Sequence, residues 1–332
     1  MNFSVIICTY MRPETTCGLM ESITIQTVQP SEVIIVDGST DFKTRELFQK
    51  KTYSFPLKYI LVEIKDRGLT KQRNAGIQHI GTGVDIVFFL DDDIILEKDY
   101  FEKSLSSFND SNVIGTNGWI TNESDWKKTS EKDQISKKSI VIDGFFQELS
   151  SRDTLRAALG LYPFNIQPGK IPPYAHGKMS LPPSDKTYVV DHLIGCNMGF
   201  RRFLFDKIQF SHFFEGYGLY EDFDFSVRAS RHGKLVTNTA ARLAHFHAPG
   251  GRPNFYKYGR MVVRNGWYVW RLKHPHPGAV NILKWHLITC LLMFIRLGNA
   301  LTGPRRQDAF DDFWGRFTSW VMLWFRKPWI ER

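Results

Sequence analysis

VDIVFFLDDDI, Val84–Ile94, decides the fold. Ile86 to Leu90 is an unbroken apolar run of strand length, rich in β-branched and aromatic residues, as expected of a strand covered on both faces. It ends on three consecutive carboxylates, Asp91, Asp92 and Asp93. Like charges so close repel, and a divalent cation relieves the repulsion; an oxygen ligand set suits Mg2+ or Mn2+. The alternative is a polar turn that caps a helix starting in IILEKDYF, Ile94–Phe101.

Similar runs lie upstream at FSVIIC (Phe3–Cys8), EVIIVD (Glu32–Asp37) and LKYILV (Leu57–Val62), with helical patterns at Glu14–Gln26 and Leu69–Ile80 between them. This alternation predicts a doubly wound α/β architecture with a mostly parallel sheet. Ligands of such sheets bind beyond the carboxyl ends of the strands. Thr9, Tyr10 and Arg12 follow the first run, Asp37, Ser39 and Asp41 the second, and the acidic triplet the fourth. The pattern weakens from Trp119 to Val190, where Trp126–Lys138 is polar and Pro163–Pro183 holds six of the 15 prolines. It returns at YVVDHLIGCNMGFRR (Tyr188–Arg202) and GLYEDFDFSVRASRHG (Gly218–Gly233), the latter a helix expected to close at Gly233.

At 332 residues, 42% hydrophobic and 23% charged, the chain has a globular composition and no signature of disorder. Its net charge of +9 is uneven: residues 250–332 hold 14 Lys and Arg against four acids. Seven of the nine Trp lie there too, which suits a lipid headgroup layer better than nucleic acid, a partner not expected here. The alternative is an ordinary helical cap with solvated arginines. Ile282–Ile295 and Phe310–Phe325 read as interfacial helices, too short or too charged to cross; the longest apolar stretch, Leu287–Ile295, is about half a spanning length. Cys8, Cys17, Cys196 and Cys290 have no paired spacing and read as small core residues, and no basic leader precedes FSVIIC. A cytoplasmic protein, peripheral on the inner face of the membrane, is expected.

Five segments in order resemble glycosyltransferase family 2, whose fold is the GT-A type. FFLDDDI resembles its Asp-x-Asp motif, CTYMRPE its first-strand signature and DRGLTKQRNAGI its Gly-Leu…Arg-Asn-x-Gly segment, with GCNMGFRR and LYEDFDFSVRA following in place. The second strand end, VDGSTD, is shorter than the family's usual form. The resemblance implies a GT-A domain over 1–250, with a nucleotide-binding half at 1–115 and an acceptor and catalytic half at 116–250. Residues 251–332 form a helical extension.

It also implies roles. Thr9, Tyr10, Arg12, Asp37, Arg73, Asp91 and Asp92 would bind the nucleotide donor, with Asp92 the freer middle member of the triplet. Asp93 and Asp91 would ligate the cation, joined by His245, which is preferred over His247; the adjoining Gly250–Gly251 would permit a mobile loop. Asp222 would be the base that deprotonates the acceptor hydroxyl, with in-line attack inverting the anomeric carbon. Gly195, Asn197 and Glu221 would line the donor sugar and acceptor. Arg201 and Arg202 are open between ligand contact and solvation.

The implied enzyme transfers a single hexosyl or deoxyhexosyl unit from a nucleoside-diphosphate sugar to a glycan or lipid-linked acceptor of the cell envelope. RMVVRNGWYVW (Arg260–Trp270) lacks the motif of processive synthases. A sugar-phosphate nucleotidyltransferase would carry glycines after the first strand, which CTYMRPE lacks, and a non-catalytic binding module would not need Asp222.

Overall fold

A computed structural model of the chain describes residues 1–130, 135–136, 139–164, 166–177, 180–248 and 253–331. Two compact units result, Met1–Glu148 with Ser180–Gly251, and Leu149–Met179 with Arg252–Arg332.

The first unit is built on a mixed sheet that has nine strands among the described residues: β1 (Phe3–Thr9), β2 (Glu32–Asp37), β3 (Leu57–Leu61), β4 (Ile86–Asp91), β5 (Ile94–Leu96), β6 (Val113–Ile120), and later β10 to β12. A separate small sheet holds β7 (Lys127–Lys128), β8 (Ser139–Ile142) and β9 (Phe145–Glu148). The last three strands of the large sheet are β10 (Thr187–Val190), β11 (Asn197–Arg201) and β12 (Lys234–His245). Its order is β10-β12-β6-β11-β4-β1-β2-β3, with β5 paired to β12. The four early strands are mutually parallel, and β11 enters antiparallel between β4 and β6.

Helices α1 (Pro13–Thr24), α2 (Lys43–Gln49), α3 (Leu69–Gln78), α4 (Tyr100–Ser106) and α6 (Glu221–Ala229) belong to this unit, and α5 (Ser151–Ala158) belongs to the other. Strand alternation assigns the faces. Phe3, Val5 and Ile7 of β1 join a core with Leu19, Met20 and Ile23 of α1. Ile6, with Ile34 and Val36 of β2, faces Ile77 of α3 in a second core. Gly76 makes this approach possible, since a Cβ there would fall 2.6 Å from Ile6 Cγ2.

The chain order reverses between β1 and β4, so their carboxyl ends open on the crevice where such sheets bind ligands. Register aligns those ends: Cys8 pairs with Asp91, and Thr9 with Asp37. The acidic triplet does not cap a helix. Ile94–Leu96 is a strand, and its pairing sets His245 opposite Ile94. Helix α6 ends at Ala229, four residues before Gly233. The chain tightens into turns there, and Gly233 is needed for a close approach, because a Cβ would lie 2.6 Å from the Asn112 carbonyl oxygen.

The second unit is dominated by α7 (Phe255–Lys273), α8 (Ala279–Thr302) and α9 (Arg306–Phe325). Helices α7 and α9 touch backbone to backbone at two glycines: a Cβ on Gly259 would lie 2.3 Å from the Asp312 carbonyl oxygen, and one on Gly315 2.1 Å from that of Tyr256. Trp267, Trp270 and Trp285 form the core with Val263 and Leu323, so three of the seven tail tryptophans are structural. Buried Asp312 holds buried Arg316 at 2.7 Å and the part-exposed Arg296 at 2.8 Å, which removes Arg316 from the solvated set. Helix α8 corrects the reading from composition: at 24 residues it passes through His286 and Arg296 and is long and apolar enough to cross a membrane, by length and composition alone. Of the four unpaired cysteines only Cys196 is buried.

Within this unit the His176 ring lies against α7, where a Cβ on Gly266 would fall 2.5 Å from Nε2, and Nδ1 accepts from Trp285 Nε1 at 3.3 Å. Burial lowers its pKa from 6.5 to about 4. Between those values the unfolded chain binds a proton that the folded chain does not, so stability falls as pH drops from 6.5 toward 4. Thermal unfolding followed by circular dichroism should show that fall, and His176→Asn should flatten it; an unchanged slope would count against the assignment.

Candidate active site

At the centre is a buried cation. Arg73, 2% exposed, leaves α3 with its Nη1 2.5 Å from Glu221 Oε1 and its Nη2 3.4 Å from Asp91 Oδ1 and 3.0 Å from the Gly195 carbonyl oxygen. Its guanidinium also lies 5.1 Å from the Phe210 ring centroid. Its neighbours are framework residues as well. Gln72 Nε2 donates to the carbonyls of Thr9 and Val36, and Asn74 exchanges two hydrogen bonds with the backbone of Phe210. Burial pushes the Glu221 carboxyl upward, and the Arg73 guanidinium beside it opposes that rise.

The triplet divides three ways. Asp91 is part-exposed, and burial raises its pKa against the pull of Arg73. Asp92 is the least free of the three, contrary to its expected looseness: buried, it accepts from Thr9 Oγ1 at 2.6 Å and from Arg12 Nη1 at 2.9 Å. Burial pushes it up to about 6. Asp93 accepts from the Ala248 N–H at 2.8 Å, and its Oδ1 is 3.3 Å from His245 Nε2. Burial alone would raise its pKa, but these contacts bring it below the usual carboxylate value. Against burial, contacts with Asp93, Cys196 and Glu123 push His245 up to about 12.

Asp91, Asp93 and His245 each bring one ligand atom within 4.8 Å of the others. Two carboxylates and an imidazole fit a divalent cation. Glu123, His245 and His247 form a second such group. The Gly250–Gly251 pair lies outside the described residues.

Asp222 stands at the start of α6. Its Oδ2 accepts from the Gly195 N–H at 2.9 Å and its Oδ1 from the Phe223 N–H at 2.8 Å. His192 Nε2 is 3.2 Å from Oδ2, with its ring stacked on Phe223. Burial would raise this carboxyl, yet His192 and the two N–H groups hold it below the usual range. Gly195 touches both acids: a Cβ would fall 3.1 Å from Glu221 Oε1 and 3.2 Å from Asp222 Oδ2.

Elsewhere, fully buried Asp37 accepts from the Ser39 N–H at 2.7 Å and from Tyr59 Oη at 2.5 Å. Tyr10 is exposed. Asn197 is fully buried, its Oδ1 accepting from the Gly118 N–H at 2.6 Å. Arg201 donates to the carbonyls of Val113, Phe108 and Asp110 and is structural, while Arg202 forms a surface pair with the exposed Asp206. Met11, Tyr220 and His247, three non-glycine residues with positive φ, flank the site, as strained backbone often does at functional clefts. His192 and Glu123 were missed from sequence, because nothing in VVDHLIG or TNESD announces partners so distant.

Residues 4–209 match the model of Glycosyl transferase family 2. The chain belongs to this family. This family 2 glycosyltransferase is 26% identical over 151 residues to the uncharacterized glycosyltransferase YwdF of Bacillus subtilis (strain 168), covering 45% of this chain and 53% of the relative. It is 32% identical over 133 residues to the glucosyl-dolichyl phosphate glucuronosyltransferase of Haloferax volcanii, covering 38% and 40%. It thus spans about half the length of these curated relatives, or less. A crystal structure of GalNAc-T7 with UDP, GalNAc and Mn2+ superposes with a TM-score of 0.51 at 15% identity, over 79% of this chain and 48% of that one. The likeness carries the GT-A fold alone.

Arg73→Met should leave buried Glu221 without its counter-charge and destabilise the enzyme by about 3–5 kcal/mol in urea denaturation. Arg73→Met combined with Glu221→Leu should recover much of that loss. A single-variant loss under about 1 kcal/mol, the size of a surface pair, would sink the anchoring role.

Proposed function

We propose that the chain is an inverting, cation-dependent glycosyltransferase that moves one sugar from a nucleoside-diphosphate sugar to a glycan or lipid-linked acceptor in cell-surface polysaccharide assembly. The observation that carries this reading is the joining of two sites by one short loop. The Asp91 N–H donates to the Cys196 carbonyl, and the adjacent Gly195 N–H donates to Asp222. The cation group and a held carboxylate therefore share a support.

Residues 1–115 contribute the donor half, with Thr9, Tyr10, Arg12 and Asp37 around the nucleotide. Residues 116–250 contribute the acceptor half. Asp91, Asp93 and His245 hold the cation, which when bound supplies Lewis-acid stabilisation of the departing diphosphate. Arg73, Asp92, Asn197 and Glu221 act mainly by holding their neighbours in place. Asp222, ionised at neutral pH because its pKa is lowered, takes the proton of the acceptor hydroxyl as that oxygen attacks the anomeric carbon. Gly195 leaves room beside it.

The test is a panel of UDP, dTDP and GDP sugars assayed with Mn2+ or Mg2+. Asp222→Asn should lower turnover by about 10² to 10⁴ with donor affinity little changed. If Glu221→Gln is the inactive variant and Asp222→Asn turns over normally, the base is misassigned.

The second unit is proposed to rest on an anionic membrane surface, on the cytoplasmic side. Val280, Leu283, Leu287, Phe294 and Leu301 are exposed along one face of α8 at steps of three, four, seven and seven residues. Such a stripe beside Lys and Arg suits a lipid interface. Sedimentation with vesicles should increase with anionic lipid, weaken with salt, and fall for Leu287→Glu with Phe294→Glu. Equal sedimentation of the variant and the natural chain would remove the surface from consideration.

A further inference from the structure

His245 is held by two consecutive residues that follow β6. Asn122 Oδ1 accepts from the His245 N–H at 2.9 Å, and Asn122 Nδ2 donates to the His245 carbonyl at 2.8 Å. Glu123 Oε1 lies 2.8 Å from His245 Nδ1. Two contacts fix the backbone and the third fixes the ring about its χ angles. Nε2 is thereby the nitrogen turned to Asp93, at 3.3 Å. The same Glu123 oxygen lies 2.9 Å from His247 Nε2, and the two imidazole centroids are 3.9 Å apart.

A ligating imidazole is oriented by giving its other ring N–H to a carboxylate or carbonyl, and loss of that partner weakens metal binding without removing a ligand. We infer that Asn122 and Glu123 form a holder for the cation site, with Glu123 a positioning residue that presents His245 Nε2 beside Asp91 and Asp93. The inference rests on reading Asp91, Asp93 and His245 as cation ligands. Holding is needed here because His245 is the last residue of β12, where strand pairing ends. His247, at φ 51°, lies in a left-handed bend that the Glu123 contact helps secure.

The experiment is a titration of the full chain with Mn2+ alone, with free Mn2+ read by electron paramagnetic resonance and the unfolding temperature measured in chelator. Glu123→Ala should weaken Mn2+ binding by about 10- to 100-fold, the range for loss of a partner behind a ligand, while the unfolding temperature in chelator stays put. Asn122→Ala should weaken it less. Glu123→Gln keeps an oxygen for Nδ1 and should retain more affinity than Glu123→Ala; equal loss in both would overturn an orienting role. Unchanged Mn2+ affinity in Glu123→Ala, with His245→Ala and Asp93→Ala both weakened, would overturn the holder and leave the cation site standing. Unchanged affinity in His245→Ala and Asp93→Ala, or no Mn2+ binding by the natural chain, would overturn the underlying reading as well. Two Mn2+ per chain, one of them lost in His247→Ala, would make Glu123 a ligand of a second ion and also overturn the holder.

Discussion

A guanidinium in a dry interior has to be surrounded by anions and acceptors, and Arg73 imposes that requirement on the first unit. Its partners arrive from three places: Asp91 at the end of β4, Glu221 at the start of α6, and the Gly195 carbonyl in the loop before β11. Meeting that requirement brings the acidic turn, the Glu-Asp pair and the glycine loop together. Within the pair, Glu221 is buried against Arg73, while Asp222 points to Gly195 and His192. The two acids are adjacent in sequence and differ in environment, one set against a guanidinium and the other against a backbone N–H and an imidazole.

The triplet shows the same division over three residues. Asp92 is fixed between Thr9 and Arg12, so its charge serves β1 and the turn after it. Asp91 and Asp93 keep oxygens toward His245. The division is made by partners: Thr9 and Arg12 hold the middle acid from the β1 side, and His245 faces the other two from β12. A run of three like charges is tolerated because Arg73, Arg12 and His245 lie against it.

The parallel half of the sheet was legible because its strands are continuous Val, Ile and Phe runs, and β1, β2 and β4 fall within a residue or two of where composition set them. The triplet was legible as three consecutive acids at a strand end, and the DRGLTKQRNAGI segment by its resemblance to the family's. The segment's meaning was less so, since Gln72, Arg73 and Asn74 turn out to tie strands and loops. Short β5 was hidden by its length, and the antiparallel entry of β11 has no local signal. His192 and Glu123 act through contacts 30 and 122 residues away in sequence, which periodicity cannot see. Composition counts the tail tryptophans but does not tell which are core: Trp267, Trp270 and Trp285 pack with Val263 and Leu323.

The contacts that close the site also set a timetable. Arg12 donates to the Ala248 carbonyl across 236 residues, and the Ala248 N–H reaches Asp93 across 155. Contacts of such long range form late, because the chain between their ends must first be ordered. During synthesis the acidic turn leaves the ribosome well before β12, so its charges face water until the last strand joins the sheet. The early parallel strands can be in place while the corner around Asp93 is still open, and the joining of β12 marks the completion of folding of the first unit.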